Sequence, residues 1–195
     1  LGRSFVQPDY QSSKMGAKSL FALDNLWDGL GALALVIPNT KYFFGKVSIY
    51  PDFNKEARNM IMYYLAKYFP DKDKLVYPIE PLDFEINYPA MDLIFNQNDF
   101  KEDYKILNKE VRKRGFNIPP LVNAYARLSP TMRTFGSAIY HDFSSIEDTG
   151  ILITIEDIFE EKKKRHIESF LQSIPKNVMR LLRARWSKKQ RFTKK

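Results

Sequence analysis

The sequence predicts an α/β or α+β fold with helices flanking a sheet. Two observations carry this: β-prone runs and segments of helical apolar spacing follow in the coarse order β-α-β-α-loop-α-α-β-β, and the last two runs form an antiparallel pair. A third bounds it. At 195 residues, with 44% hydrophobic and 28% charged side chains, the chain is long enough for a real core and ordinary for a globular protein.

In chain order, "RSFVQ" (3–7) reads as a short strand running into Pro8, followed by a polar loop with Lys14 and Lys18. Ser19 is placed to cap the next helix, in which Leu20, Leu23, Leu26, Trp27, Leu30 and Leu33 recur on one face until Pro38-Asn39 ends it. "KYFFGKVSIYP" (41–51) reads as a strand whose interior Gly45 marks a bulge or a close approach. Asn54 is placed to cap the amphipathic helix "KEARNMIMYYLAKYF" (55–69). A proline-rich excursion over 70–89 is expected to be irregular rather than a second domain. "NDFKEDYKILNKEVRKRG" (98–115) reads as a charged helix closed by Gly115. "NIPPLVNAYARLSP" (117–130) reads as a short buried helix with prolines in its first turn. "TFGSAIYHDF" (134–143) and "TGILITIEDI" (149–158) are paired as a hairpin across Ser144–Asp148, and a surface helix is expected over 160–174. The organisation expected is one domain over 1–158, a surface helix over 159–175 and a tail over 176–195.

Composition removes several chemistries. There is no cysteine, hence no disulfide, thiolate nucleophile or cysteine metal site, which fits a cytoplasmic protein. No apolar run approaches the ~20 residues that span a bilayer. "GAKS" (16–19) nearly ends a nucleotide-binding Walker A motif, but Ser12 and Ala17 stand where it needs glycine, so its backbone cannot wrap a phosphate closely. Taken alone, this loop is a solvated connector with incidental lysines; a phosphate touching Lys14, Lys18 and the N–H groups of the helix start is the functional reading. Of the two histidines, His166 is expected on the surface amid "KKKRHIE", and His141, beside Asp142, is a strand-end residue at a turn or a base. The pairs Glu102/Asp103 and Glu160/Glu161 read as solvated faces, and no metal site is expected.

The charge is concentrated at one end. Residues 176–195 hold nine Lys or Arg and no acid, so the remaining 22 basic side chains face 23 acidic ones, a net of −1 against +8 for the whole. Val178, Leu181, Leu182, Arg185 and Trp186 fall on one helical stripe. Such a segment suits an anionic membrane or an acidic protein; nucleic acid and a disordered basic extension are the alternatives, and the neutral body counts against an extended nucleic-acid footprint.

Three stretches, "LGRSFVQPDY" with "LDNLWDGLGAL", "YFFGKVSIYPDF" and "GFNIPPLVNAYARLSPTMRTFGSAIYHDF", together resemble the GNAT superfamily. More narrowly they resemble the branch often labelled haemolysin, which includes the bacterial ornithine-lipid and glycine-lipid N-acyltransferases, with wording closest to Bacteroidetes members. The resemblance implies a GNAT-like mixed sheet, incomplete at the N-terminus: the first strands and helices have no counterpart. The chain opens without methionine at Leu1-Gly2-Arg3, and a fragment or a lost N-terminal portion is expected.

The resemblance also implies an activity. A 3-hydroxylated fatty acyl group would pass from acyl carrier protein, less readily from coenzyme A, to the α-amine of a small amino acid, glycine first and ornithine second. The acyl-phosphopantetheine thioester is then a co-substrate, no cofactor is permanently bound, and localisation is cytoplasmic, peripheral on the inner membrane face through 176–195. The phosphate grip would come from Gln11, Ser12, Ser13, Lys14, Gly16, Lys18 and Ser19. The thioester would lie along Ser4, Phe5 and Val6. Arg3 matches the arginine of a Glu-x-x-Arg motif whose glutamate would precede Leu1. Among the tyrosines of the following helix, Tyr63 and Tyr64, Tyr64 is the candidate proton donor to the departing thiolate, and core packing is its other reading. The alternative to an enzyme is a non-catalytic, truncated module that docks acyl carrier protein or membrane. No sequence feature supports haemolysis.

Overall fold

The computed structural model describes residues 27–34, 36, 37, 39–142, 144–173 and 175. The chain divides into two compact units, Tyr42–Asp157 and Leu1–Lys41 with Ile158–Lys195.

The Tyr42–Asp157 unit is built on a three-stranded sheet of order β1-β3-β2. Strand β1 (Tyr42–Ile49) pairs antiparallel with β3 (Ile146–Thr154) in unbroken register from Tyr42↔Thr154 to Ile49↔Glu147. Strand β2 (Arg133–Tyr140) closes the expected hairpin on the other side of β3. Its turn places Ser144 and Ser145 at φ 53° and 48°, and β3 starts earlier than the sequence predicts and ends at Thr154, where a 3₁₀ turn (Ile155–Asp157) takes over. The three named strands pair antiparallel, and an isolated parallel bridge joins Pro70 to Thr134; the strand expected over 3–7 lies outside the described residues.

Period-two alternation gives the sheet a dry face: Val47, Ile49, Ile151 and Ile153 are each 1% exposed. Helix α2 (Lys55–Tyr68) lies over that face, with Met62 Sδ against the hydroxyls of Thr149 and Ser137. Its start is the expected one. Asn54 Oδ1 accepts the Ala57 N–H at 2.9 Å, satisfying a donor that the first turn leaves open. Gly45 marks a close approach and no bulge: a Cβ there would lie 2.9 Å from the Tyr125 hydroxyl of α5 (Pro120–Ala126). The bulge falls in β2, between Thr134 and Ser137.

The excursion after α2 is irregular, as expected, and it runs along the open edge of β2. Thr134 N–H donates to Phe69 O at 2.7 Å and Leu82 N–H to Ser137 O at 2.7 Å, while the Pro78 ring sits on Gly136. An edge strand covered by a proline-bearing segment cannot template pairing with another chain. The sequence predicts no helix over 88–94, yet Asn87 Oδ1 caps α3 (Tyr88–Ile94) at Ala90 N–H, with proline in its first turn. Helix α4 (Phe100–Lys113) starts at Asp99, which accepts from Lys101 and Glu102, and stops where Gly115 adopts φ 79°.

In the other unit, helix α1 (27–34) buries Trp27, Leu30 and Ala34. Leu33, expected on that face, is 42% exposed, because it falls off the stripe that positions 27, 30 and 34 define. Helix α6 (Glu160–Ser173) carries His166 against this helix. The expectation of a surface histidine is therefore corrected: His166 is buried, and its Nδ1 lies 2.8 Å from Asp28 Oδ1. A run of charged neighbours does not show which side of a helix turns inward.

The glycine contacts set a stability difference. Gly136→Ala drives a Cβ to within 2.6 Å of Pro78 Cδ and is expected to cost about 2 kcal/mol. Gly29→Ala meets nothing within 4 Å in a helix, and is expected to stabilise by about 0.5 kcal/mol. Urea unfolding of both variants checks the sign of each.

Candidate active site

Two polar clusters of the Tyr42–Asp157 unit are built from side chains that the fold brings together. The first ties α2 to α3 and α4. Asp103 is fully buried and accepts from the Tyr68 hydroxyl, from Lys67 Nζ at 3.2 Å and from Gln97 N–H at 3.2 Å. Lys67 also donates to the Phe95 carbonyl, and the Tyr63 hydroxyl donates to Asp92. The reading of Glu102/Asp103 as a solvated pair is corrected for Asp103. Glu102 is exposed and pairs with Lys105 at 2.7 Å, whereas Asp103 falls on the inward stripe with Leu107 and Val111. That i, i+4, i+8 spacing was the signal in the sequence: an acid in line with buried aliphatics points inward.

The second cluster sits where β1 ends and β3 begins. Successive residues of β3 face opposite sides, so the neighbouring acids Glu147 and Asp148 serve different partners. Asp148 accepts from Lys46 and Ser48. Glu147 Oε1 takes Arg58 Nη1 at 2.6 Å. The Arg58 guanidinium is held by Asn59 Oδ1 at 2.9–3.1 Å and lies 4.8 Å from the Phe84 ring centroid.

Tyr64, the candidate proton donor, is fully buried at 0% exposure, with its hydroxyl donated to Phe100 O at 2.7 Å. Tyr68, Phe69 and Tyr104 ring it at 5.1–6.0 Å. That is the core reading of the two. Burial first, then the neighbouring Tyr104 and Tyr68, pushes its phenol well above the usual range. Tyr63 is pushed up to about 12 by burial and by its bond to Asp92.

Arg3, Ser4, Phe5, Val6, Gln11, Ser12, Ser13, Lys14, Gly16, Lys18 and Ser19, and the basic segment 176–195, lie outside the described residues. His141 is exposed in the turn after β2. Among the described residues, no three His, Asp or Glu side chains gather to hold a metal ion, and no helix is long and apolar enough to cross a membrane.

Two predictions follow from these networks. Removing Asp103 (Asp103→Ala) leaves the Tyr68 hydroxyl without its acceptor and takes the counter-charge from Lys67 beside a closed core, and is expected to cost about 3 kcal/mol in urea unfolding. The second concerns alkali. The folded pKa values of Tyr63, Tyr64, Tyr68 and Tyr104 all lie above the unfolded value of 10.0, so above pH 10 the folded state binds more protons than the unfolded one. Stability is expected to be flat with respect to these groups below pH 10. It then falls as pH rises from 10 toward about 12, where Tyr63 and Tyr104 titrate. Urea titrations paired with tyrosinate absorbance check this.

Known proteins supply what the geometry does not. The chain is 58% identical over 175 residues, 90% of its length, to a curated protein named glycine N(alpha)-acyltransferase from Phocaeicola vulgatus, and equally to one of the same name from Bacteroides thetaiotaomicron. The match covers 54% and 52% of those proteins, so the chain spans about half the length of the curated relatives it matches. No family model and no solved structure matches it. The resemblance read from its residues, to the GNAT-like branch of amino-acid-lipid acyltransferases, is upheld by these relatives.

Proposed function

We propose, from this kinship with the glycine N-acyltransferases, that the chain takes part in moving a fatty acyl group from a carrier-protein thioester to the α-amine of glycine. The observation that carries this is the 58% identity extending over nine tenths of the chain. That those relatives are named for glycine supports glycine over ornithine as the acceptor.

Aminolysis of a thioester needs a neutral amine, an oriented carbonyl and a charge-stabilising environment, and no cysteine is required. In this reading Lys14, Lys18 and the N–H groups at the start of the first helix hold the phosphate of the pantetheine arm. The backbone of Ser4, Phe5 and Val6 lines the thioester and donates to its carbonyl, and Arg3 stands at the head of the same strand. The amine nitrogen forms the new bond to the acyl carbon, the C–S bond breaks, and the amine's proton leaves to solvent as the thiolate departs. Tyr64 supports the wall of the domain instead of donating a proton. The segment 176–195, with nine positive charges, holds the protein near an anionic membrane or the acidic carrier.

The half-length match favours one other reading, a module that binds the carrier and needs further chain for turnover. Incubating the chain with a 3-hydroxyacyl carrier protein and glycine or ornithine, with products read by mass spectrometry, separates the two. N-acylglycine as the main product supports the enzyme. Carrier binding without product supports the module, and neither result would remove both. In an active preparation, Lys14→Ala with Lys18→Ala is expected to raise KM for the acyl donor about tenfold, with KM for glycine unchanged.

A further inference from the structure

Every exposed position of α4 is charged, and five of the six are cations: Lys101, Lys105, Lys109, Arg112 and Lys113, with Glu102 the one acid. Lys101, Lys105, Lys109 and Lys113 recur every four residues and so form one line along the helix, with Arg112 in the same outward sector. At about 1.5 Å per residue that line is about 18 Å long. The opposite stripe is spent on the core through Asp103, Leu107 and Val111.

The acids of the helix do not cancel this face. Asp103 is buried and turned to α2, and Glu110 is drawn to Lys113 and Arg114 at its flank. Glu102 pairs with Lys105 at 2.7 Å, an exposed pair of the kind that water screens and that exchanges partners at little cost. Phe100–Lys113 holds five Lys or Arg against three acids, a net of +2. The rest of Tyr42–Asp157 holds nine against fourteen, a net of −5. A cationic line stands out from an acidic unit.

That contrast selects the partner. A helix that lies in a membrane surface sets apolar side chains beside its cations, and no exposed residue of α4 is apolar. A long polyanion such as nucleic acid would be repelled by the acidic remainder of the unit. What fits is a short acidic surface, on the scale of one helix of a partner protein. We infer that the outward face of α4 docks the carrier of the acyl thioester through that protein's acidic side chains; this rests on the acyl-transfer reading above. The cations steer the encounter and set its orientation, and they touch neither the thioester nor glycine.

Calorimetry and stopped-flow binding of holo acyl carrier protein at low salt test this. Lys105→Glu with Lys109→Glu should raise Kd about tenfold, chiefly through a slower on-rate, and high salt should erase the difference. Lys105→Gln with Lys109→Gln, which keeps good helix formers in place, should fall between. Lys72→Glu with Lys74→Glu, the same charge change on exposed lysines after α2, should leave Kd unchanged. Equal weakening by both glutamate pairs would show net charge alone at work and overturn the inference. So would an unchanged Kd in both α4 variants, a loss confined to Lys188→Glu with Lys189→Glu, or tighter binding of phosphatidylglycerol vesicles or duplex DNA than of the carrier at this face. Carrier-dependent N-acylglycine formation alongside any of these results leaves the acyl-transfer reading standing. A wild-type chain that fails to bind the carrier overturns the inference; if it also forms no N-acylglycine from the carrier or from acyl-coenzyme A, the reading falls with it.

Discussion

A carboxylate with no solvent contact, Asp103, organises the helical side of the sheet-bearing unit. An unpaired charge in that position would be far too costly to keep, so its neighbours must come to it. They do so from two directions, Lys67 and Tyr68 from the last turn of α2 and Gln97 N–H from the loop between α3 and α4, and meet Asp103 in the first turn of α4. Lys67 then extends the connection to the end of α3 through the Phe95 carbonyl. Hydrophobic burial alone would hold these helices together without choosing a rotation for each. The directional bonds choose it.

That choice explains the fate of the tyrosines. With α2 rotated so that Lys67 and Tyr68 reach Asp103, Tyr64 turns into the core and gives its hydroxyl to Phe100 O, and Tyr63 reaches Asp92. Both hydroxyls are thereby engaged as donors inside the fold. On the opposite flank the sheet has its own constraint. The edge of β2 is covered by an irregular segment pinned at Pro78 and Leu82, which lets an exposed, proline-rich stretch remain attached without adding a strand.

The functional reading and the geometry contribute different things. Kinship with proteins named glycine N(alpha)-acyltransferase supplies the family, and the reaction itself stands as a proposal. The structure then shows which described side chains are committed elsewhere. It also joins α1 to α6 through the contact of His166 with Asp28, 138 residues apart in sequence.

What the sequence determined by itself was local. The β1 run, the Asn54 cap, the halt of α4 at Gly115 and the β2–β3 hairpin follow from periodicity, capping and turn chemistry, which act over a few residues and are written there. The resemblance of three stretches to acyltransferases was equally legible, because it depends on the order of residues alone. Tertiary structure decided which polar residues are buried. Asp103 and His166 each lie in charged runs that read as solvent-facing, and their partners Tyr68 and Asp28 are 35 and 138 residues away. It also decided that Gly45 makes room for the Tyr125 hydroxyl while the bulge falls in β2. The physical reason is the same in each case: pairing depends on which distant segment arrives opposite a residue, and a local period, such as the line of Asp103 with Leu107 and Val111, can signal an inward face without naming the partner that meets it.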